Sequence, residues 1–262
     1  MAEKCHMCLL GLILLCSLLT GTIEVDANTK FCSSGKNVNL PCNNARSSCT
    51  STVWIYSRQS ETVELVHGGK KKNDIERHER LSLGSDCSLN IKNVTKDDYG
   101  SYSCQQYVNG QQQGTEERIY LHFLHVSSSS TQIRSGSSVT LFCQLYYDRV
   151  SCDTLVRVDE VQLIWVNQAG VNLQTDSRYQ ISPGNCNSTL TTTLLDEDHN
   201  TEWRCLITQR NEAKTSAAYI VRYSENLCST CPWLFTPPAV FSVFGLGVGI
   251  PGSLPLLSWR SM

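Results

Sequence analysis

The sequence predicts an all-β protein built from two tandem β-sandwiches. Three observations carry that prediction. The chain has 262 residues, enough for two domains of about 100 residues each with short extensions. One pattern occurs twice: Cys42, Trp54 and Cys104, then Cys143, Trp165 and Cys205, with a sequence separation of 62 from cysteine to cysteine in both cases. Around these positions apolar residues alternate with polar ones, the period of two that marks a half-buried strand.

Residues 1–27 read as a secretory signal peptide. Lys4 stands near the start, and an apolar run follows from Cys8 to Leu19. That run is shorter than the ~20 residues a membrane span needs. The first sandwich is expected over 28–126. Val38, Leu40 and Cys42 share one face, and Val53 to Tyr56 form the next strand with Trp54 inward. Glu61 to Val66 alternates imperfectly and suggests an extra edge strand. Leu81, Leu83, Leu89, Ile91 and Val94 supply further inward positions. Asp98, Gly100, Tyr102 and Cys104 form Asp-x-Gly-x-Tyr-x-Cys, with the chain turning at the glycine. Ile119, Leu121 and Phe123 give the last strand.

Ser127 to Ser130 reads as a short polar junction, and the second sandwich is expected over 127–223. Val139, Leu141 and Cys143 alternate, as do Val161, Leu163 and Trp165, and Leu190, Thr192 and Leu194. Before Cys205 the pattern departs from the first half. Trp203 stands where tyrosine was, His199 where aspartate was, and Asn200 precedes Glu202 by two where a glycine would be expected. A stalk over 224–236 leads to an apolar tail, 237–262. Ala239 to Leu257 carries no charge but holds Pro251, Pro255 and four glycines, which weaken a helix. Two readings of this tail stand side by side: a membrane helix, or the cleaved signal of a glycolipid anchor attached near Ser224, Asn226 or Ser229.

Composition narrows the function. With 22 basic and 24 acidic residues the net charge is -2, which gives no electrostatic case for nucleic acid. The basic run Lys70, Lys71 and Lys72 reads as a solvated loop. Fourteen cysteines point to an oxidising compartment. Three lie in the first 27 residues, so the mature chain keeps an odd number and at least one thiol lacks an intrachain partner or pairs with another chain. Cys228 and Cys231 form a Cys-x-x-Cys without a second pair or a nearby histidine, so neither metal nor cofactor chemistry is expected. Bonds from Cys228 or Cys231 to a second copy would give a dimer; a local bridge or pairing with Cys32 is the other option. His67, His78, His122, His125 and His199 are scattered without a nucleophile, so no enzyme is expected; His122 and His125 read as exposed edge residues.

The cysteine–tryptophan–cysteine repeats and the Asp98 to Cys104 motif resemble the immunoglobulin superfamily, in the form of a two-domain leukocyte-type surface receptor. The resemblance implies bonds Cys42–Cys104 and Cys143–Cys205 across each sandwich. It implies a tyrosine corner at Tyr102 and a pair between Asp98 and Arg80. The extra strand after Trp54 implies a variable-type first domain. Each half also carries a second cysteine pair in loops at one end, Cys49 with Cys87 and Cys152 with Cys186. Asn93-Val94-Thr95 and Asn187-Ser188-Thr189 are acceptor sequons for N-linked sugar.

The function implied is recognition of a protein ligand at a cell surface, in adhesion or immune recognition, with no signalling tail. A secreted or shed soluble binding protein is the alternative. The contact surface is expected at loops 43–52, 67–74 and 107–114 of the first domain, with Tyr107, Asn109, Gln111 and Lys71 as contact residues. Tyrosine amid small polar side chains is the composition that recognition loops favour.

Overall fold

The computed structural model describes residues 28–46 and 48–224. The signal segment, the tail, and with them Cys228 and Cys231, lie outside the described residues. The first domain opens with β1 (Thr29–Ser33), β2 (Val38–Leu40), β3 (Thr52–Arg58), β4 (Glu61–His67) and β5 (Lys70–Lys71). It continues with β6 (Leu81–Leu83), β7 (Leu89–Ile91), β8 (Gly100–Val108) and β9 (Gln111–Ser128). One layer runs β1-β9-β8-β3-β4-β5 and the other β2-β7-β6. β1 pairs parallel with β9, whereas the other pairings are antiparallel. Nine strands with two beyond Trp54 make this the variable-type arrangement.

The core of this domain is the set of inward alternating positions. Leu40, Trp54, Tyr56, Leu89, Ile91, Val94, Tyr102 and Leu121 are fully buried. Cys42 and Cys104 are bonded across the layers with Cα atoms 5.8 Å apart, beside Trp54. The Tyr102 hydroxyl donates to the Asp98 carbonyl at 2.7 Å, closing the corner. The Asp98 carboxylate is wholly buried. It takes both terminal nitrogens of Arg80, at 2.6 and 2.9 Å, and lies 3.4 Å from Arg77. It also accepts from the Thr95 backbone at 2.8 Å and so caps the short 3₁₀ turn Lys96–Asp98. At Gly100 the chain adopts a φ of 149°, and a Cβ there would stand 2.8 Å from the Ser57 carbonyl oxygen. The turn at that position therefore requires glycine.

The second domain reuses the far half of β9. β10 (Ser138–Tyr146) is followed by a short helix, α1 (Cys152–Arg157), then β11 (Val161–Asn167) and β12 (Gln180–Pro183). β13 (Asn187–Thr193), β14 (Glu202–Gln209) and β15 (Glu212–Ile220) complete it. The layers are β9-β10-β13-β12 and β11-β14-β15. Four strands against three is the constant-type arrangement. Cys143 and Cys205 are bonded with Cα atoms 6.2 Å apart, and Trp165 and Trp203 are buried beside them.

Three sequence expectations are corrected here. The Ser127–Ser130 junction is not a break: β9 runs unbroken through Ser128, because Phe123 to Ser128 pair with β10. His199 is not the counterpart of Asp98. Asp198 is, binding the Arg178 guanidinium at 2.6 Å and the Leu195 amide at 2.8 Å. One extra residue separates it from the second cysteine, and Asn200, at φ 65°, absorbs the insertion by donating its N–H to the Val221 carbonyl. Trp203 fills the corner volume in place of tyrosine, edge-on to Tyr179 at 5.7 Å.

His122 is the third. It is 2% exposed rather than an open edge residue. Along β9 the odd positions Ile119, Leu121 and Phe123 face the first core, while Leu124 belongs to the second. At His122 the side that would face water in an isolated domain is covered by Phe31, ring to ring at 5.4 Å, and the second domain has begun. Burial holds its imidazole down to about 4, against a partial upward pull from the Asp148 charge. Cys32, on the neighbouring β1, is also buried, and it has no disulfide partner among the described residues. Burial, reinforced by the charge of Asp98, pushes its thiol up to about 12.

Candidate recognition surface

The loop end of the first domain is assembled from three segments, and each is held by a different device. Residues 43–52 connect β2 to β3. Cys49 within them is bonded to Cys87, in the turn between β6 and β7, with Cα atoms 5.4 Å apart. The same turn is anchored from below, because the buried Trp54 indole donates to the Cys87 carbonyl at 2.9 Å. The base of 43–52 is tied to β9: Asn43 donates its backbone N–H to Glu117 at 2.6 Å, and the Asn44 side chain donates to the Thr115 carbonyl at 2.7 Å.

The second segment is the turn between β4 and β5. It is folded down on the first. Gly69 donates to the Thr52 carbonyl at 3.1 Å. It holds φ 74°, and a Cβ would fall 2.5 Å from the Cys49 carbonyl oxygen. Only glycine fits both the left-handed backbone and that approach. Lys70 and Lys71 are strand residues here, not a solvated loop. The Lys71 ammonium donates to the carbonyls of Leu81 (2.8 Å) and His78 (3.2 Å), so it ties β5 to the start of β6 and to the turn before it.

The third segment is the β8–β9 hairpin. Residues 107–114, expected as a loop, are mostly strand. Val108 pairs with Gln111 across the two-residue turn Asn109-Gly110, both residues at positive φ. Asn-Gly suits that turn because both positions tolerate left-handed backbone. Asn109, Gln111, Gln112 and Gln113 are exposed on the ribbon. Below them Gln106 is buried, and its amide links the end to the core: it accepts from the Ser51 hydroxyl at 2.9 Å and donates to the Thr52 hydroxyl at 3.1 Å.

The sequence reading missed a polar network on the outer face of β8 and β9. Ser103 and Gln105 donate to the two oxygens of Glu116 at 2.7 and 2.8 Å, and Arg118 Nε donates to the same carboxylate at 2.9 Å. Tyr107 extends the chain, its hydroxyl donating to Gln105 at 3.0 Å. Burial alone would raise the Glu116 pKa. The bonds from Ser103, Arg118 and Gln105 outweigh it and hold the carboxyl below its ordinary range. Alternation along β8 carried the signal, since Ser103, Gln105 and Tyr107 are the positions opposite Tyr102, Cys104 and Gln106.

In the second domain Cys152 and Cys186 are bonded, with Cα atoms 5.9 Å apart. Cys152 opens α1, a helix that the sequence reading did not include; Ser151 caps it by accepting from the Thr154 amide. Asn93 and Asn187 are both exposed. Among the described residues no cluster of His, Cys, Asp and Glu has the arrangement of a metal site. No helix among them is long and apolar enough to cross a membrane.

The comparison with protein families now bears directly on the first domain. The immunoglobulin V-set domain matches residues 28–122. Residues 28–122 thus carry the pattern of an immunoglobulin V-set domain. That assignment accounts for the β4–β5 pair beyond the tryptophan strand and for the corner at Tyr102. The chain is also similar to human Contactin-3, 27% identical over 157 residues, which is 58% of this chain. It spans 15% of the length of that relative. Two solved structures are similar in outline. Murine CEACAM1b has 18% identity and a TM-score of 0.31, with 76% of this chain and 96% of that one covered. Bovine butyrophilin has 15% identity and a TM-score of 0.34, with 75% and 96% covered.

Proposed function

We propose that this chain is a cell-surface recognition receptor that binds a protein ligand through the loop end of its V-set domain. The observation that supports this reading best is the division of labour at that end. The backbone is fixed by Cys49–Cys87, Gly69 and Gln106, whereas Asn109, Gln111 and Gln112 stand exposed. A pinned backbone loses little freedom on association, and amide side chains adapt to a partner's polar groups. Tyr107 supplies an aromatic edge to the same surface. Lys71, committed to two carbonyls, falls outside the proposed contact set.

On this reading the apolar tail holds the protein at the outer membrane face, and Asn93 and Asn187 carry sugar. Recognition in adhesion or immunity is the role proposed, without catalysis. The test displays the full chain on cells and stains them with candidate ligand-bearing cells or their shed surface proteins. Replacing Tyr107 and Gln111 together by alanine is expected to abolish binding while leaving surface level and thermal midpoint unchanged. Undiminished binding by that variant would move the contact surface elsewhere. Release of the chain by phosphatidylinositol-specific phospholipase would assign a glycolipid anchor, retention a membrane helix, and accumulation in untreated medium would refute the receptor reading.

A further inference from the structure

Between the end of β1 and the β14–β15 edge of the second sandwich lies a cleft of about 560 Å³, within the ~300–1,000 Å³ range of small-molecule sites. Clefts at domain junctions are preferred places for such sites. Ser33, Ser34 and Lys36 line it from the first domain, and Glu202, Arg204 and Ser216 from the second. The other lining side chains are mostly small, and none is an aliphatic residue larger than valine.

Two features of this wall are unexplained by the fold. Ser33 is 1% exposed, yet its hydroxyl has no hydrogen-bond partner among the described residues. Buried hydroxyls are normally paired, so each orphan calls for a cause. The second feature is charge without partners. The Lys36 ammonium has no acceptor among the described residues. Arg204 gives its Nε to Glu202, which leaves its terminal nitrogens without an acceptor there. The wall thus offers cationic and hydroxyl donors, with one carboxylate, Glu202, already held by Arg204, and Val126, Ala217 and Ala218 as its apolar part.

We propose that this interdomain cleft binds an acidic sugar. The anionic group lies between Lys36 and Arg204, and ring hydroxyls meet Ser34 and Ser216, above the buried Ser33 hydroxyl. A carboxylate satisfies the cations, and a polyhydroxylated ring suits the serines better than an aliphatic or aromatic body would. The site is separate from the loop end of the V-set domain and stands whether or not that end binds a protein.

The test titrates the full chain with glucuronic acid, acetate and glucose in parallel, followed by ligand-observed NMR. Glucuronic acid is expected to bind saturably, and the other two about tenfold more weakly, each lacking one half of the recognition. Lys36→Met and Arg204→Met are each expected to weaken glucuronic acid by about tenfold, and Lys36→Arg to retain it. Ser34→Ala and Ser216→Ala are each expected to weaken it several-fold. Thermal midpoints show whether each variant is folded, and Lys36, exposed on a turn, is the one least able to disturb folding. Acetate binding as tightly as glucuronic acid would reduce the cleft to a simple anion site and overturn the proposal. Glucose binding as tightly would remove the role of charge and overturn it equally, as would the absence of saturable binding.

Discussion

His122 shows how much a single residue can depend on the whole chain. Its ring is neutral, buried against Phe31, with Nδ1 unpaired. Folding therefore lowers its affinity for protons, from an ordinary value of 6.5 to about 4. Between those values the unfolded chain binds more protons than the folded one. The stability this group permits is therefore complete above pH 6.5 and is lost progressively as the pH falls towards 4. Urea unfolding at pH 7.5, 5.5 and 4.5 should show the wild type losing stability relative to His122→Gln, with the gap changing most between the two lower points and 7.5. Parallel pH profiles would mean that the imidazole is accessible to protons in the folded state. The neighbouring Cys32 thiol, buried and pushed up to about 12, is the wrong kind of group for exchange chemistry, which needs a thiolate.

At the scale of the element, the loop between β2 and β3 is fixed by its second disulfide. Cys49 and Cys87 enclose 38 residues of chain separation, so the bond restricts a long unfolded loop and should contribute about 2–4 kcal/mol. It also fixes the turn whose carbonyl receives the Trp54 indole. The double variant Cys49→Ser, Cys87→Ser is expected to remain folded through Cys42–Cys104 but to lose stability of that order in denaturant. Amide exchange in 43–52 and 84–88 should rise, with β3 and β8 unchanged. A loss confined to the denaturant midpoint, with exchange in those loops unaltered, would show that the bond acts on the unfolded chain alone. This element was legible in the sequence because cysteine spacing is exact information. So were the first cysteine strand, where the period of two survives from Val38 to Cys42, and the second tryptophan strand, where it survives from Val161 to Trp165. What was not legible has three separate physical causes. Asp198 was hidden by one inserted residue that Asn200 absorbs in a left-handed turn. His122 was hidden because its cover comes from other segments, and a local period cannot report that. The 107–114 stretch read as a loop because its side chains are polar, yet exposed ribbon and exposed loop share that composition; only Asn109-Gly110 carried the hairpin signal.

The molecule as a whole is organised by β9. Its 18 residues extend about 60 Å at ~3.4 Å per residue, serving first as the edge partner of β8 and then as that of β10. Around the crossing, Tyr146 of β10 packs on Phe123 at 6.2 Å and on Tyr99 at 5.7 Å, under the Lys96 ammonium at 4.7 Å. Arg149 reaches back to the Gln59 carbonyl at 3.3 Å, and Gln59 donates its N–H to Asp148. A strand shared by both sandwiches couples their melting, because unfolding either one removes a pairing partner from the other. Calorimetry of the full chain should therefore give one cooperative transition. Tyr146→Ala keeps the shared backbone but deletes the aromatic seat at the crossing, and it is expected to keep a single transition at a lower midpoint and to raise the radius of gyration measured by X-ray scattering. The physical reason is that backbone pairing alone leaves the two domains free to pivot about β9, while the ring holds them at one angle. If the unmodified chain already melted in two independent steps, the common strand would be a hinge and not a beam, and the cleft formed between β1 and β15 would have no fixed shape to present to a ligand.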